Sequence, residues 1–221
     1  MNKRLITISF LILGISIISK LAFTLCRNIK VDDFHKTAVI IVLDSSVSNQ
    51  NQLPEEVRYI KSLCSVLDPE DEIKIVNVDA DSYLIYEGSP GDTSGISKAI
   101  STYAKNNGND TGTAYGEAIK KAAAHCLTMK KEGYRTAIIV VGDLEGGNNA
   151  SQINWDTLPK NIEKVKEFLP ELTMMFVYAT PEKLDLVKTK LNPVLGEKKL
   201  IIANSANVDK ASRRFITAIG R

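Results

Sequence analysis

Asp44, Ser46 and Ser48 stand at i, i+2 and i+4 directly after the apolar run Ala38 to Leu43. In an extended loop that spacing places one carboxylate and two hydroxyls on the same side of the chain. A second carboxylate, Asp143, follows a second apolar run, Ala137 to Val141, within Gly142-Asp143-Leu144. Thr111-Gly112-Thr113 lies in a loop rich in Gly and Asn and offers two more hydroxyls. Hydroxyl and carboxylate oxygens without thiolate or imidazole suit a hard cation. Mg²⁺, which keeps several waters and needs one or two carboxylates, matches Asp44 and Asp143 better than a carboxylate-rich Ca²⁺ cage would. The competing use of the same residues is local: Ser and Asp after a strand also form Asx turns and cap helices. Asp92, Asp110 and Glu145 are read as solvated loop carboxylates and left out of the site.

The elements that must position these groups follow from the hydrophobic pattern. Ala38 to Leu43 (AVIIVL) and Ala137 to Val141 (AIIVV) are continuous β-branched runs, as expected of parallel strands covered on both faces. Leu172 to Ala179 and Leu200 to Ala203 read likewise, and Glu72 to Val78 and Ser82 to Glu87, joined through Asp79-Ala80-Asp81, read as an antiparallel edge hairpin. Helical spacing appears in Val57, Ile60, Leu63, Cys64 and Leu67 after Pro54, and in Tyr115, Ala118, Ile119, Ala122, Cys126 and Met129. Ile162 to Phe168, Pro181 to Leu191 and Val208 to Ile219 supply three further helices. Alternating strands and helices predict a doubly wound, mostly parallel α/β sheet with one antiparallel edge hairpin. In such sheets ligands bind beyond the carboxyl ends of the strands, where Asp44 and Asp143 fall.

With the motifs in this order, the chain resembles the von Willebrand factor type A (VWA) domain with its metal-ion-dependent adhesion site (MIDAS). The D-x-S-x-S motif is Asp44, Ser46 and Ser48; the G-T-x-x-G-x-A pattern is Gly112 to Ala118, which singles out Thr113 over Thr111. Of the third motif, a T-D-G turn, only Asp143 matches, since Gly142 replaces the Thr and Leu144 the Gly. The resemblance runs from about Thr37 to Arg221. It implies a Rossmann-like three-layer fold and a site for Mg²⁺ or Mn²⁺ formed by Asp44, Ser46, Ser48, Thr113 and Asp143. It further implies a protein ligand whose acidic residue completes the coordination.

Composition narrows the alternatives. The chain has 221 residues, with 28 Lys plus Arg against 26 Asp plus Glu. That balance gives no basic excess for nucleic acid, and no nucleic-acid partner is expected. Three separated cysteines and two histidines exclude a disulfide framework and a His-rich metal site. Cys64, Cys126, His125 and Tyr115 are read as packing residues, and Trp155 as a cover for the sheet edge. At the start of the chain, Leu5 to Cys26 is 22 residues interrupted only by Lys20. At about 1.5 Å per residue this is long enough for a membrane span. The expected organisation is a transmembrane anchor at 1–26, a stem at 27–36 and a VWA-like domain at 37–221. The expected location is a membrane, reached by a single N-terminal pass, with a cleaved signal peptide and secretion as the alternative.

Three functions remain open. A membrane-anchored, cation-dependent protein-binding module leads, and it is not an enzyme. A metal-independent assembly scaffold is next, because of the altered Gly142-Asp143-Leu144 turn. A metal-dependent hydrolase or phosphatase using Asp44 comes last: a haloacid-dehalogenase-type enzyme needs a second Asp where Ser46 stands, and the chain has neither a phosphate loop nor a nucleophile elbow.

Overall fold

The computed structural model describes residues 36–46, 49–78, 82–106, 113–145 and 152–220, which fall within one compact unit, His35–Arg221. Six strands, β1 (Lys36–Asp44), β2 (Glu72–Val78), β3 (Tyr83–Gly88), β4 (Tyr134–Val141), β5 (Thr173–Val177) and β6 (Leu200–Ala203), form one sheet in the order β3-β2-β1-β4-β5-β6. All neighbours are parallel except β2 and β3, which pair antiparallel at one edge. Among the described residues six helices accompany it: α1 (Leu53–Cys64), α2 (Thr93–Asn106), α3 (Tyr115–Lys131), α4 (Leu158–Phe168), α5 (Pro181–Leu195) and α6 (Val208–Ala218).

Strand alternation divides the apolar runs between two cores. In β1, Ala38, Ile40 and Val42 pack with α3, α4 and α5, while Val39, Ile41 and Leu43 pack with α1, α2 and α6. All six are fully buried, which is why the run is continuous rather than alternating. Truncating one of them, Ile40→Ala for instance, is expected to cost about 2–5 kcal/mol.

This order places the site. The chain leaves β1 toward β2 on one side and later lays β4 on the other, so the winding reverses between β1 and β4, where a crevice opens beyond their carboxyl ends. Leu43 is level with Val141, so Asp44 and Gly142 come side by side, and Asp143 stands one residue further out.

Several expectations need correction. Helix α2 was not foreseen: among its described residues the buried ones are Ile96 and Ile100, and Gly95 with several Ser and Thr residues weakens the signal. Asp92, expected to be merely solvated, accepts a hydrogen bond from the Gly95 amide (2.8 Å) and satisfies a free donor of that first turn. Helix α4 begins four residues before the expected Ile162, and α5 runs past Leu191 to Leu195 with Pro193 accommodated in its final turn. The expectation of a membrane location is overturned: among the described residues no helix is long and apolar enough to cross a membrane. The segment on which that expectation rested, residues 1–26, lies outside the described residues, as do Asp79-Ala80-Asp81 and Thr111.

Candidate functional site at the β1 and β4 carboxyl ends

Asp44 ends β1 with no exposed surface, and its two carboxylate oxygens have different partners. Oδ1 accepts from the Ser46 amide (2.8 Å), an Asx turn that folds the loop back over the strand end. Oδ2 accepts from the Tyr115 hydroxyl (2.7 Å), and that hydroxyl in turn accepts from the Leu144 amide (3.2 Å). One phenol at the first turn of α3 therefore joins the loop after β1 to the loop after β4. Tyr115 was expected to be simple core. It is fully packed, yet its polar end is the hub of the crevice.

This hub accounts for both departures from the T-D-G turn. A Cβ on residue 142 would stand 2.2 Å from the Tyr115 hydroxyl and 2.5 Å from the Asp44 Cβ, at a φ of +141°. Only glycine leaves room for the phenol. Leu144, where the pattern has glycine, keeps the left-handed backbone (φ 60°) that glycine would adopt freely. Its side chain is buried among the residues packed against α3 and α4, which offsets the backbone strain.

The loop after Asp44 is braced from below. Asn49, fully buried, donates from Nδ2 to the Asp44 carbonyl (2.9 Å) and to both carboxylate oxygens of Glu56 (3.0 and 2.9 Å). Glu56 is also fully buried, on the inner face of α1, and burial pushes its carboxyl up to about 8. Neither residue was singled out from the sequence. The signal was present: Leu53, Glu56, Ile60 and Leu63 share one helical face, so Glu56 had to point inward. Ser45 is tied sideways, its hydroxyl donating to Asn77 Oδ1 (2.6 Å) on β2.

Asp143 accepts from the Glu145 amide through Oδ1 (2.7 Å), while its carbonyl accepts from the Thr180 amide (3.3 Å). Burial raises the carboxyl groups of both Asp44 and Asp143 above the usual carboxylate range, and the negative charge of Asp143 adds to the rise at Asp44. Lys183 partly offsets the rise at Asp143. No ion pair among the described residues reaches either aspartate.

The crevice thus gathers Asp44, Ser46 and Asp143. Ser46 is buried beside Asp44, and its hydroxyl also bonds to that carboxylate. Thr113 is buried two residues before Tyr115, at the entrance to α3, and no hydrogen bond ties it to the aspartates. Ser48 lies outside the described residues. Among the described residues no three His, Cys, Asp or Glu side chains form a metal cage, so hydroxyls would have to supply part of any ligand set. In donor chemistry and charge the residues present fit a hard divalent cation: two buried, adjacent carboxylates face hydroxyls and have no cationic partner within ion-pair distance.

Other expectations hold locally. Cys64 and Cys126 are buried free thiols. His125 is half-buried. Trp155, expected to cover the sheet edge, is instead half-buried against the core that α3, α4 and α5 form on one face of the sheet.

Neither a protein-family model nor a curated protein sequence matches the chain. Solved structures match over most of it. The conserved hypothetical protein BatB from Bacteroides thetaiotaomicron is 18% identical at a TM-score of 0.60, covering 84% of this chain and all of that one. A von Willebrand factor type A protein from Catenulispora acidiphila is 12% identical at a TM-score of 0.56, covering 83% of this chain and 42% of that one. Proximal thread matrix protein 1 from the mussel byssus, in a form with a zinc-occupied MIDAS motif, is 15% identical at 0.52, covering 83% of this chain and 47% of that one. These likenesses establish the fold, which is that of VWA domains.

Proposed function

We propose that this protein is a non-enzymatic binding module for other proteins, in which the crevice between β1 and β4 holds Mg²⁺ or Mn²⁺ and an acidic side chain of the partner completes the coordination. The observation that carries the reading is the pair of buried carboxylates, Asp44 and Asp143, side by side with no described cation within ion-pair distance. A divalent ion would relieve both the burial cost and their mutual repulsion. Ser46, Ser48 and Thr113 would supply hydroxyl oxygens. Asp44, whose oxygens already accept from Ser46 and Tyr115, would act through its charge and an intervening water. A domain of the same fold carries zinc in its MIDAS motif, which supports a metal in this position.

The phenol network favours a second reading. Tyr115 already joins Asp44 to the β4 loop, and a crevice so closed could serve as a metal-independent assembly surface. Calorimetric titration of the chain with MgCl₂ and MnCl₂ separates the two. Saturable binding that disappears in Asp44→Ala supports the cation site. Absence of heat at millimolar metal, in a protein whose melting temperature EDTA leaves unchanged, assigns the scaffold role.

A further inference from the structure

The sheet ends at β6, which pairs with β5 and, among the described residues, with no other strand. On its outer edge the Leu200 amide already donates to the Gly196 carbonyl (2.9 Å) and the Asn204 amide to Asn207 Oδ1 (2.9 Å), so the template for an added strand is the Leu200 carbonyl with the Ile202 amide and carbonyl. A groove flanks this edge on each side. On the α6 side a groove of about 680 Å³ has Ile201 and Ala218 in its lining, with Lys198, Lys199, Lys210, Arg213 and Arg214 against the single carboxylate of Glu197. On the α5 side a groove of about 540 Å³ sets Leu184, Leu200 and Ile202 among mostly polar walls, where Lys188 and Arg214 are matched by Asp185 and Glu197. The difference follows from strand alternation: Leu200 and Ile202 point toward α5, and Ile201 points toward α6.

The cations of the α6-side groove outnumber its carboxylates five to one. None has a carboxylate within ion-pair distance among the described residues; Lys199 instead donates to the Ala218 carbonyl (2.8 Å) and Arg214 to the Glu197 carbonyl (3.5 Å). Lys198, Lys210, Arg213 and Arg214 are exposed. An extended chain laid along β6 would send alternate side chains into the two grooves, one set meeting positive charge and the other meeting aliphatic carbon.

We propose that the β6 edge is a docking site for an extended segment of a partner protein in which acidic residues alternate with aliphatic ones. Backbone pairing supplies affinity, and the two grooves supply the choice of sequence. The concave shape and the free strand edge favour a polypeptide over an anionic membrane, whose flat surface would reach the rim cations and leave the strand edge and the aliphatic groove unused. The site goes beyond the cation reading, because none of the proposed metal ligands lines either groove.

The test uses the full chain in EDTA, so that it is independent of the β1/β4 crevice. The probe is a fluorescein-labelled peptide, Glu-Val-Glu-Val-Glu-Val-Glu, followed by fluorescence anisotropy. The control is Glu-Glu-Glu-Glu-Val-Val-Val, of the same composition. The alternating peptide is expected to bind saturably, at least tenfold more tightly than the block peptide, and to weaken at least tenfold in the Lys210→Glu/Arg213→Glu variant. Both positions are exposed, and unchanged melting of the variant verifies its fold. N-methylation of alternate peptide amides along one edge is expected to abolish binding, because it removes the pairing donors and keeps the charge. Equal binding of the two peptides, indifference to the charge reversal, or no saturation at millimolar peptide overturns the proposal. Binding to phosphatidylserine-containing vesicles without binding to the peptide assigns the cations to a membrane instead.

Discussion

Glu56→Gln is expected to make the folded protein more stable at alkaline pH and leave it little changed at pH 5. The carboxyl of Glu56 rises from 4.5 to about 8, first because it is buried and then because Asp44 and Asp143 lie nearby, while the Asn49 amide partly offsets the rise. The folded protein therefore holds this proton more tightly than the unfolded chain does. The resulting stability is complete below pH about 4.5 and is lost as the pH climbs toward 8. A displacement of that size corresponds to on the order of 5 kcal/mol at about 1.4 kcal/mol per pH unit, reached above pH 8. Asp44 and Asp143 are raised as well and act in the same direction. His125, held down first by burial and then by Lys74, acts oppositely near its ordinary value of 6.5, so the comparison must be made between variants at each pH. Glutamine keeps an acceptor for Asn49 and carries no charge. Urea denaturation in EDTA at pH 5, 7 and 8.5 measures the effect. The two proteins should agree within about 1 kcal/mol at pH 5, and at pH 8.5 the variant should be ahead by roughly 3 kcal/mol or more, which is a midpoint shift of about 1–2 M. A variant that is only level with the wild type, or weaker, at pH 8.5 would refute the assignment of a buried, proton-holding Glu56.

Four further outcomes are expected. Tyr115→Phe removes one hydrogen bond to a carboxylate and one from an amide, a loss of about 2–4 kcal/mol that should lower the thermal midpoint in EDTA by several degrees. Gly142→Ala should cost at least about 1–3 kcal/mol through overpacking, and a double-mutant cycle should show a smaller cost when Tyr115 is already Phe. Asp143→Asn retains the oxygen that accepts from Glu145 and should leave stability in EDTA within about 1 kcal/mol, while calorimetry should show Mg²⁺ affinity falling at least tenfold, or roughly 1.4 kcal/mol. Burial pushes the Cys64 thiol up to about 11 and the Cys126 thiol up to about 12, so iodoacetamide at pH 8 should label neither in the native state and both after unfolding, as mass spectrometry would show.

The main strands and the crevice could be read from the chain because their determinants are local. A strand buried on both faces must be apolar at every position, and Ala38–Leu43 and Ala137–Val141 are. The carboxylates that follow those runs then fall at the same sheet edge in any parallel arrangement that sets β1 beside β4. Helix α2 stayed hidden because two buried isoleucines among Gly, Ser and Thr leave too weak a periodic signal.

Residue types near the site were legible, but their partnerships were not. Tyr115 has the spacing of a core residue, and nothing along the chain shows that its hydroxyl meets Asp44, which lies 71 positions earlier. The glycine at 142 reads as the loss of a family threonine until the phenol is seen in the space a side chain would fill. Leu144 likewise reads as a departure, yet packing holds its backbone where glycine would have been. Local pattern sets which residues face inward and where each strand stops. Pairing across the sheet sets which inward groups meet, because a hydrogen bond or a clash depends on positions that only the assembled layers bring within about 3 Å of each other.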